Sequence, residues 1–379
     1  MKILITDGAS VNALGIIRHL GIDGRFEIFV VGYNTIALGK FSKYCKEYIV
    51  LPHPKKNSTQ FIAGILDIIS QKKIDFVLPV GFYAHKSFID NIDQIAPLVK
   101  LCLPSKQSFE IATSKIETSQ LAEKVGILVP KTKVITDLNQ LNSVNLKFPV
   151  VIKSQQEIGG RMVEYANNEK ELVAKFKQLV SAFKLEPNNF PIIQEYIQGE
   201  GVGFFAYYKE GELVNYFMHE RVREFPVSGG RSVCARSFYD EKLLDNGKKL
   251  LDALSWNGSA MVEFKRTANN EYYLLEINPK LWGSLELAIC SGVNFPLLMI
   301  ENSFNDANVS YQDYTKGLYF QWCLNGELYH FFNKPSSLFR IIATSFGSKK
   351  DFWFKDVKPN IIQFLLIFID LYKVIKSKL

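Results

Sequence analysis

The stretch SAMVEFKRTANNEYYLLEINP, Ser259 to Pro279, decides the fold. The runs on either side of Asn269–Asn270 read as two strands, and Asn tolerates the left-handed backbone that a two-residue hairpin turn needs. A turn at those residues sets Glu263 directly across from Glu276, with Asn278 two residues farther along the same face. Carboxylates facing each other at roughly 5 Å repel and destabilise a strand pair. A divalent cation between them removes the conflict. Glu, Glu and Asn oxygens suit Mg2+, which keeps several waters and takes substrate phosphates as further ligands. The alternative is a solvated pair on an exposed face, but Met261, Val262 and Phe264 make this strand at least half-buried.

Three further stretches carry chemistry. Val150–Val151–Ile152–Lys153 is a buried strand ending in a lysine, followed by a Gly159–Gly160 turn able to lay backbone N–H groups over phosphate. Gln194–Glu195–Tyr196–Ile197 ends another strand, which read alone is only a strand end but can offer backbone groups to an adenine edge and a carboxylate to a ribose. His219, Arg221 and Arg223 line one face of an extended segment, with Glu220, Val222 and Glu224 on the other, and Arg231 and Ser232 follow a Gly-Gly turn. Three cationic groups in a row beside such a turn make an anion-binding surface.

The rest of the 379-residue chain frames these stretches. Ile3–Ile5, Ile28–Val31, Tyr48–Leu51 and Phe76–Pro79 read as apolar strands alternating with helices at Ala13–Leu20 and Thr59–Gln71, the pattern of a parallel sheet covered on both faces. The turn Asp7–Gly15 lacks GxGxxG spacing and reads as a tight turn into a capped helix, not a dinucleotide site. Helices are expected over about Ser108–Val125 and Asn168–Lys184. Four units follow: 1–107, 108–190, 191–305 and a basic, partly helical extension, 306–379.

Taken together and in this order, these motifs resemble an ATP-grasp enzyme of the carbamoyl-phosphate-synthetase-like or biotin-carboxylase-like branch, which includes many carboxylate–amine ligases. The resemblance implies an α/β chain: a Rossmann-like parallel-sheet domain, then two α+β subdomains sandwiching ATP, then the helical extension. It implies that Lys115, in the first-lysine segment, and Lys153 hold the ATP phosphates, aided by Gly159 and Gly160. Glu195, Tyr196 and Ile197 become the adenine hinge, and Glu200 the ribose contact. Glu263, Glu276 and Asn278 become ligands of one or two Mg2+ ions, for which Mn2+ can substitute. His219, Arg221, Arg223, Arg231 and Ser232 become the site for the acceptor carboxylate or its acyl phosphate, with Arg221, Arg223, Asn278 and Lys280 acting in catalysis. Two departures stand out: Gly201 occupies the place of the usual ribose acid, and Lys280 stands where the family usually has Arg after Asn-Pro, supplying charge without a planar fork. The reaction implied activates a carboxylate as an acyl phosphate for attack by an amine. Bicarbonate activation and a non-catalytic nucleotide-binding subunit are the alternatives; no glutaminase or biotin-carrier segment is visible, and the intact metal triad speaks for catalysis.

Charge and cysteines bound the partners. Residues 331–379 hold nine Lys/Arg against three acids, a net +6 of the chain's +7. A near-neutral body argues against a nucleic-acid footprint and points to a local anionic contact at the C-terminus. Five widely spaced cysteines with no CxxC pair argue against zinc or a disulfide framework and for a reducing cytoplasm. From Asn360 to Leu379 the polar residues Gln363, Asp370, Lys373 and Ser377 form only a narrow stripe. Such a helix is too apolar to be fully solvated: it packs on its own domain, on a twin subunit, or on anionic lipid at the inner membrane surface.

Overall fold

Apolar strands without alternation need cover on both faces, and the first four form a parallel sheet. β1 (Lys2–Ile5), β2 (Glu27–Gly32), β3 (Cys45–Val50) and β4 (Phe76–Leu78) lie in the order β3-β2-β1-β4. Helices Val11–Asp23 and Ser58–Lys72 connect them. The first turn is the expected capped turn: Ser10 Oγ accepts from the Ala13 N–H at 3.1 Å, and Gly24 closes the helix with φ 76°. The computed structural model describes residues 1–156, 162–227, 229–305 and 313–376, so the Gly159–Gly160 turn lies outside the described residues, as does Ser377 of the tail stripe.

The second sheet is antiparallel: β5 (Thr132–Val134), β6 (Val150–Lys153), β7 (Val163–Ala166) and β8 (Ile192–Glu195), ordered β5-β8-β6-β7. Helix Glu169–Phe183, capped by Asn168, buries Leu172 and Phe176 against Val150 and Ile152. β8 pairs with both β5 and β6, so the chain leaves this sheet only after Glu195, slightly beyond the division at 190 read from the sequence.

The third sheet has seven strands: β9 (Glu200–Lys209), β10 (Glu212–Phe225), β11 (Arg231–Ser237), β12 (Gly258–Arg266), β13 (Tyr272–Asn278), β14 (Tyr319–Gln321) and β15 (Lys349–Lys350), ordered β13-β12-β9-β10-β11-β14-β15. Interior strand β9 is buried on both faces. Phe205 and Tyr207 join Ile3, Ile5 and Val30 in the core shared with the first sheet. Phe204, Ala206 and Tyr208 join Trp256 and helix Glu241–Ala253 in a second core. The extension is not only helical: it contributes β14 and β15 to this sheet's edge.

Residues 108–125 form not one helix but parts of two, Lys106–Thr113 and Lys115–Lys124, broken at Ser114 (φ −90°, ψ 112°). Ser114 caps both: its N–H donates to Glu110 O and Ile111 O, and its Oγ accepts from the Glu117 N–H at 3.2 Å. The break is also held from outside, since Lys115 N donates to Gln155 O at 2.8 Å. Ala112 and Ala122 carry the pair onto the third sheet's core beside Leu274. Because one hydroxyl serves the second helix and fixes Lys115 at its first turn, Ser114→Ala is expected to cost about 1 kcal/mol in chemical denaturation, with Ser114→Asn recovering most of it. Equal stability of the Ala variant and wild type would remove this role.

Candidate active site

β12 and β13 form the expected hairpin, and Glu263 stands opposite Glu276. The turn, however, is longer than two residues. Thr267 N–H donates to Glu271 O at 2.9 Å, and Asn270 alone of the two asparagines takes the left-handed conformation, φ 57°. The resulting one-residue offset is cancelled by a bulge at Leu275, between the pairs Phe264–Leu274 and Glu263–Glu276. The bulge also aims a carbonyl: Leu275 O accepts from Lys153 Nζ at 3.3 Å.

The two carboxylates are not left to repel each other, as the sequence alone suggested. Arg221 Nη2 donates to Glu263 Oε2 at 2.5 Å, and Lys115 Nζ lies 3.1 Å from Glu276 Oε2. Asn278 Nδ2 bridges them, donating to Glu263 Oε1 at 3.1 Å and Glu276 Oε1 at 3.2 Å. Burial alone would push Glu276 up, but Lys115 and Lys153 outweigh it and hold the carboxyl down at about 2. Burial pushes Glu263 up against the pull of Arg221. Burial and then the neighbouring Lys115 charge push the Lys153 ammonium down to about 8. The donor set fits a hard cation: one atom already sits within 3.2 Å of both carboxylates, and turning the Asn278 amide over presents its oxygen there instead of its NH2.

The cationic row breaks in the middle. β10 pairs with β11 through Arg221–Ala235 and then Arg223–Cys234, a bulge at Val222 that reverses which side chains face the cleft. Arg221 and Glu224 face it, joined at 3.2 Å, and Arg221 also donates to Gly230 O at 3.1 Å. Arg223 points away, buried against Glu327 and Thr344 of the extension (2.7 and 2.8 Å). His219 is not a cation: it is fully buried, 2.6 Å from Ser284 Oγ and with its ring tilted against Phe205 at 4.6 Å. Burial, aided by Arg221, lowers its pKa to about 3.

The remaining candidates divide likewise. Lys115, Lys153, Glu195, Tyr196, Ile197, Arg231, Ser232 and Lys280 all line one cleft of about 800 Å³ between the second and third sheets. The Glu195 N–H is committed to Lys131 O at 2.8 Å, and Tyr196 packs edge-on to Tyr165 at 5.9 Å. Glu200 stays outside the lining, paired with Arg266 at 2.5 Å. Gly159 and Gly160 lie outside the described residues. Sequence reasoning missed Glu224, Lys265, Asn12 and Asn325, all of which line the cleft. Lys265, two residues past Glu263 on the same strand face, carried a signal in its spacing. Asn12 and Asn325 did not, being brought in from the first sheet's helix and the extension by tertiary packing alone.

A model described as "RimK-like ATP-grasp domain" matches residues 112–202, and one described as "ATP-grasp in the biosynthetic pathway with Ter operon" matches 191–324. The chain is similar to the carbamoyl phosphate synthase large chain of Clostridium beijerinckii (25% identical over 283 residues, 72% of this chain and 25% of that one). It is also similar to pyruvate carboxylase of Bacillus subtilis (24% identical over 276 residues, 66% of this chain and 23% of that one). It thus spans about a quarter of the length of these curated relatives. Its fold is similar to that of Campylobacter jejuni biotin carboxylase (TM-score 0.66, 19% identity, covering 84% of this chain and 74% of that one). The L-amino acid ligase of Bacillus licheniformis shares it too (TM-score 0.62, 14% identity, 80% and 73% covered).

The ion pair of Lys115 with Glu276 yields a direct test. In the metal- and nucleotide-free protein, Lys115→Met and Glu276→Gln are each expected to lower stability, and the double variant to lose less than the two added. The interaction energy expected from a double-mutant cycle by urea denaturation is about 0.5–3 kcal/mol. Strict additivity would mean that the pair contributes nothing.

Proposed function

We propose that this chain, whose residues 112–202 and 191–324 match two ATP-grasp models, is an ATP-dependent ligase of the ATP-grasp superfamily that activates a small carboxylate as an acyl phosphate and passes the acyl group to an amine. The observation that carries this reading is the convergence of Glu263, Glu276 and Asn278 with Lys115 and Lys153 in one cleft. When bound, Mg2+ supplies charge neutralisation for the ATP phosphates and the phosphoryl group in transfer. Glu263, Glu276 and the Asn278 oxygen hold it. Lys115 and Lys153 bind phosphate oxygens, and backbone groups of Glu195 and Ile197 meet the adenine edge. Arg221, Arg231, Ser232 and Lys280 position the carboxylate beside the γ-phosphorus. Its oxygen forms the new P–O bond as the bond to the ADP oxygen breaks, and the ADP leaves with the electron pair. The amine nitrogen then attacks the acyl carbon, phosphate departs, and the amine gives up a proton. Catalysis rests on alignment and on cations placed before the charge arrives. All five cysteines are unpaired, which supports a cytoplasmic setting.

ADP release across pairs of carboxylates and amines, with product mass, tests the reading; bicarbonate belongs in the screen as one of the carboxylates. Glu276→Gln is expected to abolish ADP release with every pair that wild type accepts. Wild-type turnover by that variant would overturn the metal assignment and the reading with it. Mg-ATP is expected to raise the melting temperature, by about 2.7 kcal/mol of stabilisation at a hundredfold excess over its Kd.

Lys153 gives a pH dependence. Its folded pKa of about 8 lies below the ordinary lysine value, so the buried ammonium costs the empty protein stability below pH 8, a cost that fades as pH rises toward 10.5. Nucleotide binding runs the other way, since the phosphates need the protonated form. ATP affinity by calorimetry is expected to fall by about tenfold between pH 7 and pH 9 and to stay nearly level in Lys153→Arg. A level wild-type profile would separate Lys153 from the phosphates.

A further inference from the structure

The C-terminal helix spans Val357–Lys376, and over its first turns, as far as Ile369, it buries two polar side chains and leaves apolar ones exposed. Asn360 and Gln363 are buried against the body together with Ile367, while Ile361, Leu365, Leu366 and Ile369 are 42–53% exposed. Asn360 accepts from Arg18 at 2.7 Å and donates to Trp353 O at 2.9 Å, so directional hydrogen bonds fix this orientation. The same region of the extension exposes further rings: Phe339, Phe346 and Phe354 are 82–84% exposed, the last packed edge-on to Phe352. An ordinary water-facing surface scatters apolar side chains; here they share a short segment with a helix whose apolar side faces out.

Charge tells what covers this face. Lys334, Arg340, Lys349, Lys350, Lys355 and Lys358 are all exposed. The acids of residues 331–369 are Asp351 and Asp356, and both are buried, at 1% and 3% exposure. Every exposed charge on this stretch is therefore positive. A second copy would pair the face with itself and set one cationic surface on another. Among the described residues no helix is long and apolar enough to cross a membrane.

We propose that the C-terminal extension is a peripheral membrane-binding surface: Phe339, Phe346, Phe354 and the exposed apolar side chains of the helix between Val357 and Ile369 enter the interface of an anionic bilayer while the lysines of the same stretch lie at the headgroups. An amphipathic helix in the plane of the interface with flanking cations binds in this way, and the lysines supply the preference for anionic lipid.

The test is flotation of the full chain with vesicles of phosphatidylcholine alone and of phosphatidylcholine mixed with phosphatidylglycerol, at low and high salt. At low salt the chain is expected to bind the anionic vesicles at least ~10-fold more than the neutral ones, and to release at high salt. Phe346→Ser with Phe354→Ser, and separately Lys349→Glu with Lys350→Glu, are each expected to lower binding by ~10-fold. Thermal unfolding by circular dichroism shows that these surface variants remain folded. No binding to anionic vesicles at low salt would overturn the proposal. So would binding that both variants leave intact, or a dimer, by sedimentation equilibrium, that the Phe variant dissociates.

Discussion

Two carboxylates face each other across the β12–β13 hairpin, and a partly buried pair of like charges is costly without counter-charges brought from elsewhere. The helix break at Ser114 delivers Lys115 to Glu276, and the end of β6 delivers Lys153. β10 delivers Arg221 to Glu263, while the hairpin supplies its own bridge in Asn278. Three separate segments thus converge on one acidic pair, and that convergence defines where the second and third sheets meet. The same arrangement is preorganised for an anionic ligand: its cations are held in place before any ligand charge arrives, which is the condition for electrostatic stabilisation without reorganisation at the moment of reaction.

What the sequence made legible was local and periodic. The four parallel strands, the Asn168-capped helix and the pairing of Glu263 with Glu276 all follow from side-chain alternation, capping residues and turn chemistry. The hairpin register agreed for a reason the sequence did not contain, since a longer turn and a bulge at Leu275 offset each other. Bulges are where such reading fails, because one extra residue reverses every side chain beyond it. At Val222 that reversal took Arg223 out of the cleft and put Glu224 into it. The break at Ser114 was equally hidden: its outside support, Gln155, lies about forty residues away in the chain, beyond any local pattern.

The bulge at Val222 has its own structural cause. The side chain it sends away, Arg223, meets Glu327 and Thr344, both in the extension, and His330 Nδ1 lies 2.8 Å from the carbonyl of Glu224. Burial pushes the Glu327 carboxyl up while Arg223 pulls it back, so the pair depends on staying together. Asn325, from the same segment, lines the cleft. The extension therefore forms one wall of the site as well as the edge of its sheet, and a change in its seating reaches Arg221 through two residues of a single strand.

Its seating depends on Arg18, in the helix that follows β1. Buried at 2% exposure, its guanidinium needs acceptors within the protein, and Asp356, its own carbonyl and Asn360 provide them at 2.7–3.0 Å. Asp356 is held in turn by Ser42 Oγ and the Lys43 N–H, both at 2.9 Å. Removing one partner from a buried charge of this kind costs about 3–5 kcal/mol, more than a few exposed apolar side chains gain by finding cover. The clasp thus dictates which side of the C-terminal helix faces the body. A helix docked by hydrophobic contact would bury its apolar side, whereas one docked by directional bonds to Arg18 has to bury Asn360 and turn Ile361, Leu365 and Ile369 outward.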